Sequence, residues 1–351
     1  MLNNGQKIPQ FGFGVFQVKP EDTAGAVATA LQSGYRHIDT AQMYGNEKEV
    51  GEAIGKSGLD RADVFVTSKL NNGFHRPDDA RKAFDDSLDA LGFGVFLVKP
   101  EDTVAAVSTA LEVGYRHIDT AEMYGNEKEV GEAISRSGLD RSDLFVTSKL
   151  ANDAHEPDDA RQAFDESLKA LGFDYLDLFL IHWPLPTRYD GDYISTWRTL
   201  EEFYRDGRAR SIGVSNFQPR HLRRLHAESD IPPAVDQIEV NPYLTQDELR
   251  GFCAEHQIAV EAWSPLGRGN VLDDPTIEAI ARRAGKTPAQ VVLRWHIERG
   301  DIVFPKSVTP ERIKENIEIF DFELSGTDVE SIALLNRNER TGPDPDKFDG
   351  R

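Results

Sequence analysis

Apolar positions along the chain follow two alternating periods. Short stretches at 64–70 and 176–183 are dense in large and β-branched apolar residues, the signature of strands buried on both faces. Between such stretches the apolar residues recur at three- and four-residue spacing, as on an amphipathic helix. In order, 12–18, 36–40 and 64–70 predict strands, and 20–33, 47–58 and 77–91 predict helices. Pro20 followed by Glu21 and Asp22 marks a helix start, and Gly34 a stop. Gly92 ends the third helix, and Asn4-Gly5 predicts a hairpin turn. Further on, 176–183, 211–215, 234–240, 259–263 and 302–305 predict strands. Helices are expected around 195–206, 218–228, 245–256, 274–284, 288–299 and 310–317. Strands alternating with helices in this way predict parallel βαβ units.

The first three units occur twice. GFGVFQVKPEDT at 12–23 returns as GFGVFLVKPEDT at 92–103, and GYRHIDTAQMYGNEKEVGEAI at 34–54 returns at 114–134 with one change. Residues 12–93 and 92–173 share 64 identities over 82 positions. Removing one copy from 351 residues leaves 271 (351 − 80), a usual size for one (β/α)8 TIM barrel, and one copy plus the remainder supplies eight strand–helix units. The fold expected is therefore an α/β TIM barrel with about 80 duplicated residues, three extra βα units, outside the closed barrel. The organisation reads as 1–91, a first copy of units one to three with the hairpin; 92–173, the second copy; and 174–351, units four to eight with a C-terminal tail.

In such barrels chemistry collects at the C-terminal ends of the strands. Asp39 ends the second strand with Tyr44 five residues on, Lys69 ends the third, and His182 ends the fourth in LFLIHWP. The second copy places Asp119, Tyr124 and Lys149 in the same positions. Taken singly, Asp39 reads as a strand-end cap, Lys69 as a solvated charge and Tyr44 as a half-buried core residue. Together on adjacent strand ends they read as chemistry. A phenol is a poor proton donor at neutral pH unless a nearby ammonium stabilises its anion, and a carboxylate would hold that ammonium in place. A histidine beside them could orient a carbonyl oxygen.

Charge and composition narrow the partners. Sixty acidic against 40 basic residues give a net charge of −20, which repels nucleic acid and anionic membrane. No apolar run approaches the roughly 20 residues that span a bilayer. The single cysteine, Cys253, cannot pair within the chain, and the N-terminal residues lack the basic and apolar blocks of a signal peptide. A cytoplasmic protein is expected. Gly12-Phe13-Gly14 lacks the third glycine of a dinucleotide fingerprint. Thr287-Pro288 reads as a helix cap rather than a phosphate loop. The histidines show no zinc spacing, and His221 and His226 are expected on the surface; no metal site is expected.

The chain resembles the aldo-keto reductase family from end to end, through LNNGQKIPQFGFGVF, GYRHIDTAQMYGNE, VTSKL, LIHWP, SIGVSN, VDQIEVNPY, WSPLG and FPKSVTPERIKEN. It is most similar to the bacterial branch that includes 2,5-diketo-D-gluconate reductases. The resemblance implies NADPH-dependent reduction of aldehydes or ketones, keto sugars among them. Tyrosine is the proton donor, lysine and aspartate tune it, and histidine orients the carbonyl. It implies that Ser215, Asn216 and Gln237 hold the nicotinamide carboxamide, that Trp263 stacks on its ring, and that Ser264 and Leu266 lie near the pyrophosphate. Lys306, Ser307 and Arg312 would clamp the 2′-phosphate, with Glu315 and Asn316 towards adenine. Cationic and hydroxyl donors leading into a helix N-terminus suit an anion on physical grounds as well. Phe96 and Trp183 would line the substrate pocket, with Phe16 the first-copy equivalent of Phe96. Many family members carry tryptophan just after VTSKL; here that position is Asn71 in one copy and Ala151 in the other. A small carbonyl compound is the partner expected. The family implies a monomer, with segment exchange between chains as the association a spare copy invites.

His182 and all the cofactor residues occur once, so the chain makes at most one such site. An eleven-stranded closed barrel is disfavoured because strand number, tilt and shear are coupled. Either 92–173 joins the remainder directly, or 1–91 does so and about 80 residues loop out, at a closure cost of about 4 kcal/mol. The reading preferred is the first, with Asp119, Tyr124, Lys149 and His182 as the working set. A protein that binds NADPH without turnover is the competing function, and a poorly folded product of the duplication is a third reading.

Overall fold

A computed structural model describes residues 13–15, 18–39, 46–59, 64–67 and 91–350. It divides into two units, Met1–Asp86 and Ser87–Arg351.

In the first unit, strands β1 (Phe13–Gly14), β2 (His37–Asp39) and β3 (Phe65–Thr67) form a parallel sheet in sequence order. Helices α1 (Pro20–Gln32) and α2 (Glu47–Lys56) follow the first two strands. Val15, Val27, Leu31, Ile38, Val50, Ile54 and Val64 form its core. The hairpin expected at Asn4-Gly5 lies outside the described residues, as does the helix expected over 77–91 except for Leu91.

The second unit carries eight parallel strands: β4 (Phe93–Gly94), β5 (His117–Asp119), β6 (Phe145–Leu150), β7 (Leu176–Ile181), β8 (Ala209–Ser215), β9 (Val235–Glu239), β10 (Ala259–Trp263) and β11 (Ile302–Val303). Each neighbours the next in sequence. The ring closes where Leu91 pairs in parallel with Val303 and the Gly92 N–H donates to the Val303 carbonyl at 2.9 Å. These are the (β/α)8 barrel's eight strands, and the second copy supplies the first three.

Helices follow the strands: α3 (Pro100–Val113), α4 (Glu127–Arg136), α5 (Pro157–Leu171), α6 (Tyr193–Arg205), α7 (Pro219–Glu228), α8 (Asp247–Glu255), α9 (Pro275–Ala284), α10 (Pro288–Glu298), α11 (Pro310–Ile317) and α12 (Gly326–Ala333). Six of these ten begin with proline, whose fixed φ suits the first turn and whose missing N–H would be unpaired there anyway. Thr287 and Gln290 form the capping box of α10, and Ser325 with Asp328 caps α12, a helix the apolar pattern does not announce.

Strand sides sort the core, since successive residues point to opposite faces. Phe179 and Ile181 join the large outer cluster that packs under the helices. Leu178, Leu180 and Val235 form a separate group with Phe145 against it, filling the barrel interior. Two strands shorten to two residues each. The first ends at Gly94 because the chain turns, Val98 N–H bonding the Val95 carbonyl with Leu97 at φ 59° between them. The last ends at Val303, before Pro305, which has no N–H for the ladder.

Candidate functional site

The inward positions at the C-terminal ends of the strands are polar. Asp119 closes β5, Lys149 lies near the end of β6, and a single 3-10 turn, Glu122–Tyr124, carries Tyr124 back over both. Lys149 is fully buried. Its ammonium donates to Asp119 Oδ2 at 2.8 Å and to the Thr120 carbonyl at 2.7 Å, and lies 5.1 Å from the centre of the Tyr124 ring. The His182 ring meets Tyr124 edge-on at 5.8 Å. The structure thus brings Asp119, Tyr124, Lys149 and His182 together. In the first copy the Asp39 side chain, Phe16, Tyr44 and Lys69 lie outside the described residues.

Burial dominates the electrostatics. It pushes the Tyr124 phenol up to about 12, while the charge and hydrogen bonding of Lys149 pull the other way. Burial also works against the Lys149 ammonium, but the charges of Asp119 and Tyr124 outweigh it and hold its pKa above the ordinary value. His182 is held well below the usual imidazole range, first by burial and then by Lys149. At neutral pH the site therefore presents a protonated phenol, an ammonium and a neutral imidazole.

On the next strands, Ser215 Oγ donates to the Gln237 carbonyl at 2.8 Å. Asn216, at φ 64°, donates from Nδ2 to the His182 carbonyl at 3.0 Å. Its Oδ1 accepts the Trp263 indole N–H at 2.9 Å. One network thus fixes Ser215, Asn216 and Trp263. Ser264 is strained at φ 48°, and Leu266 packs half-buried against the core. The Gln237 amide turns into the barrel, with Nε2 at 2.8 Å from both Asp119 Oδ2 and Glu261 Oε2.

After β11, Ser307 Oγ accepts the Thr309 N–H at 3.0 Å, just before α11 begins at Pro310. Lys306 and Arg312 are exposed, and among the described residues neither pairs with a carboxylate. Two unengaged cations at a helix N-terminus fit the phosphate of an NADP-type cofactor. Glu315 is committed elsewhere, since its Oε1 accepts the Thr287 hydroxyl at 2.6 Å; Asn316 is buried.

Phe96 is 44% exposed, with its ring 5.1 Å from that of Tyr124. Trp183 is buried beneath Phe348 of the C-terminal tail, ring centres 4.5 Å apart. The tail is anchored by Glu239, whose carboxylate accepts the N–H groups of Thr341 and Gly342 at 2.7 and 3.1 Å. At Gly342 a side chain would strike the Trp263 ring. Sequence reasoning missed Glu239, Glu261 and Phe348. Glu261 was accessible by parity, being a carboxylate two residues before Trp263 on an inward register. Phe348 and Glu239 were not, because nothing local says where a tail lies. His221, expected on the surface, is instead buried among Tyr193 and Phe217, with Nδ1 accepting the Gln218 N–H at 3.0 Å; His226 is exposed.

Among the described residues no helix is long and apolar enough to cross a membrane. The family model for the aldo/keto reductase family matches this chain twice, over residues 10–96 and 90–337. An aldo-keto reductase from Mycolicibacterium smegmatis is 53% identical over 262 residues, covering 75% of this chain and 94% of that protein. The methylglyoxal reductase DkgA of Escherichia coli is 45% identical over 262 residues, covering 74% and 94% respectively. Among solved structures, a Bombyx mori aldo-keto reductase in complex with NADP matches with a TM-score of 0.69 and 41% identity, over 73% of this chain and 92% of that one. With its eight-stranded barrel and these matches, the chain belongs to the aldo/keto reductase family, NAD(P)H-dependent oxidoreductases that reduce carbonyl compounds.

Proposed function

We propose that this chain reduces small aldehydes and ketones, 2-oxoaldehydes of the methylglyoxal type first and open-chain keto sugars second, with NADPH as reductant and Tyr124 as proton donor. The observation that carries the reading is the Lys149 ammonium, held by Asp119 and the Thr120 carbonyl at 2.8 and 2.7 Å and facing the Tyr124 ring. The reduced nicotinamide, when bound, supplies a hydride to the carbonyl carbon. Ser215, Asn216, Gln237 and Trp263 would hold its ring, and Lys306, Ser307 and Arg312 its 2′-phosphate.

The neutral His182 ring offers an N–H to the substrate oxygen and orients it. As negative charge develops on that oxygen, Tyr124 Oη–H gives up its proton to it, and the phenolate left behind is stabilised by Lys149. Asp119 keeps the ammonium in place without touching substrate. Solvent then reprotonates the phenolate. Ala151, buried and standing where many family members carry tryptophan, offers a smaller side chain there, which suits a polar substrate carrying a second oxygen function. The E. coli relative's name supports the dicarbonyl assignment.

The test is NADPH oxidation by the purified chain with methylglyoxal, glyoxal and an open-chain keto sugar, beside NADPH affinity measured by fluorescence. Turnover, with methylglyoxal preferred in kcat/KM, is expected. Tight NADPH binding without turnover on any of the three would sink the reading in favour of a binding protein.

A further inference from the structure

Glu261 is 1% exposed and is the register partner of Gln237 across the β9–β10 pair. Gln237 Nε2 stands 2.8 Å from Glu261 Oε2 and 2.8 Å from Asp119 Oδ2. The same Asp119 oxygen accepts the Lys149 ammonium. A continuous chain of polar contacts thus runs from Glu261 through Gln237 and Asp119 to Lys149 and the face of Tyr124, across four strands.

Two consequences follow from valence and charge. A primary amide nitrogen carries two hydrogens, and here both are spent on carboxyl oxygens. That leaves only the carbonyl oxygen of the Gln237 side chain for another partner. The reverse orientation would set that oxygen against the Asp119 carboxylate, which has no hydrogen to offer. The charges do not balance either. Asp119 on β5, Gln237 on β9 and Lys149 on β6 are the groups facing Glu261, so two carboxyls share one ammonium. Burial first, and then the Asp119 charge, push Glu261 up to about 8, against the pull of the Gln237 hydrogen bond and of Lys149. Below that pH its carboxyl is neutral. Above it a second negative charge enters the buried interior of the barrel.

We propose that Glu261 is a positioning residue for the reduction: it fixes the Gln237 amide with its N–H groups inward and its oxygen as the group left for the cofactor, and its charge state sets how readily Tyr124 gives up its proton. The proposal rests on the reductase reading above. An ionised Glu261 makes the surroundings of Tyr124 more negative, so the phenol becomes a weaker acid and carbonyl reduction slows.

The experiment compares full-length wild type, Glu261→Gln and Glu261→Leu in two readouts. One is kcat/KM for methylglyoxal at saturating NADPH across pH; the other is NADPH Kd from quenching of tryptophan fluorescence, which needs no turnover. The wild-type kcat/KM should fall about tenfold between about pH 7 and 9. In Glu261→Gln, which keeps an acceptor for Gln237 but cannot ionise, the fall should shrink to less than about twofold over that range. Glu261→Leu should weaken NADPH binding about tenfold by freeing the Gln237 amide. Superimposable wild-type and Glu261→Gln profiles overturn the proposal, whether or not Glu261→Leu folds. If the wild type binds NADPH but turns over nothing, the reductase reading fails instead. In that case an unchanged Kd in Glu261→Leu still overturns the positioning role.

Discussion

The two copies make a controlled comparison, because 64 of 82 aligned residues are the same while their surroundings differ. Short-range features are duplicated closely. Asn46 Nδ2 donates to the carbonyls of Val15 and Val18 at 3.0 Å each, and Asn126 to those of Val95 and Val98 at 3.1 Å. Arg36 bonds the Leu31 and Tyr35 carbonyls at 2.9 and 2.8 Å, and Arg116 those of Leu111 and Tyr115 at 3.0 and 2.8 Å. Burial differs between the copies. Tyr115 is 1% exposed and its hydroxyl donates to the Ile313 carbonyl at 3.3 Å, whereas Tyr35 is half-buried. Sequence within a copy therefore specifies turns, caps and helix starts. Burial, and with it the electrostatics of the strand ends, comes from the strands that follow.

The sharpest way to break this comparison is at the tyrosines. His182 directly follows β7, and Gln237 and Glu261 sit on β9 and β10, strands that all belong to the eight-stranded sheet. Tyr124→Phe should lower kcat for carbonyl reduction by about 10²- to 10⁴-fold, the worth of a positioned acid. Tyr44→Phe should leave it unchanged. Loss of activity in Tyr44→Phe with retention in Tyr124→Phe would reverse the roles of the copies.

A pair of glycines extends the comparison to stability. At Gly131 on α4 an added Cβ would collide with the Leu171 carbonyl oxygen at the end of α5, whereas at the equivalent Gly51 on α2 nothing among the described residues lies within 4 Å. Gly131→Ala should destabilise by about 1–3 kcal/mol, the cost of overpacking against backbone. Gly51→Ala should stabilise by about 0.5–1 kcal/mol through helix propensity. Urea unfolding with and without NADPH reads this out, since the ligand-raised transition identifies the unit that binds it. Equal effects at the two glycines would mean that the copies have equivalent surroundings.

These contrasts also explain what was legible in the sequence. Strand and helix order followed from period, and eight units from subtracting a copy, because both are local or countable. Asp119, Tyr124, Lys149 and His182 could be singled out because each lies at a strand end, where register alone predicts its side. Parity places Glu261 inward, but what a lone carboxylate does in an apolar strand follows only from Gln237 and Asp119 on other strands. Glu315 shows the converse: its resemblance to an adenine contact gave no hint that Thr287, on another element, already occupies its Oε1. Phe348 and the Glu239 anchor depend on where the tail settles, which no period encodes.

The phosphate clamp has no counterpart in either copy, so it tests the part of the site that occurs once. Lys306→Ala should weaken NADPH binding about tenfold, the loss of one charge-assisted contact, while NADH affinity stays the same because that cofactor has no 2′-phosphate. Equal losses for both cofactors would place Lys306 elsewhere than at that phosphate.

The smallest expected effect comes from removing the first copy altogether. The barrel closes on itself through Leu91 and Val303, and its strands from β4 to β11 all lie within Ser87–Arg351. Every residue of the proposed site that the structure describes is in that unit. A chain beginning at Ser87 should therefore keep kcat/KM for methylglyoxal and the NADPH-induced rise in unfolding midpoint within about twofold and a few degrees of the full chain. A tenfold loss of turnover with NADPH binding intact would show that the first copy reaches the substrate side of the site. Loss of both would show that the barrel needs it to fold. Retention of both would leave Met1–Asp86 with no part in the chemistry.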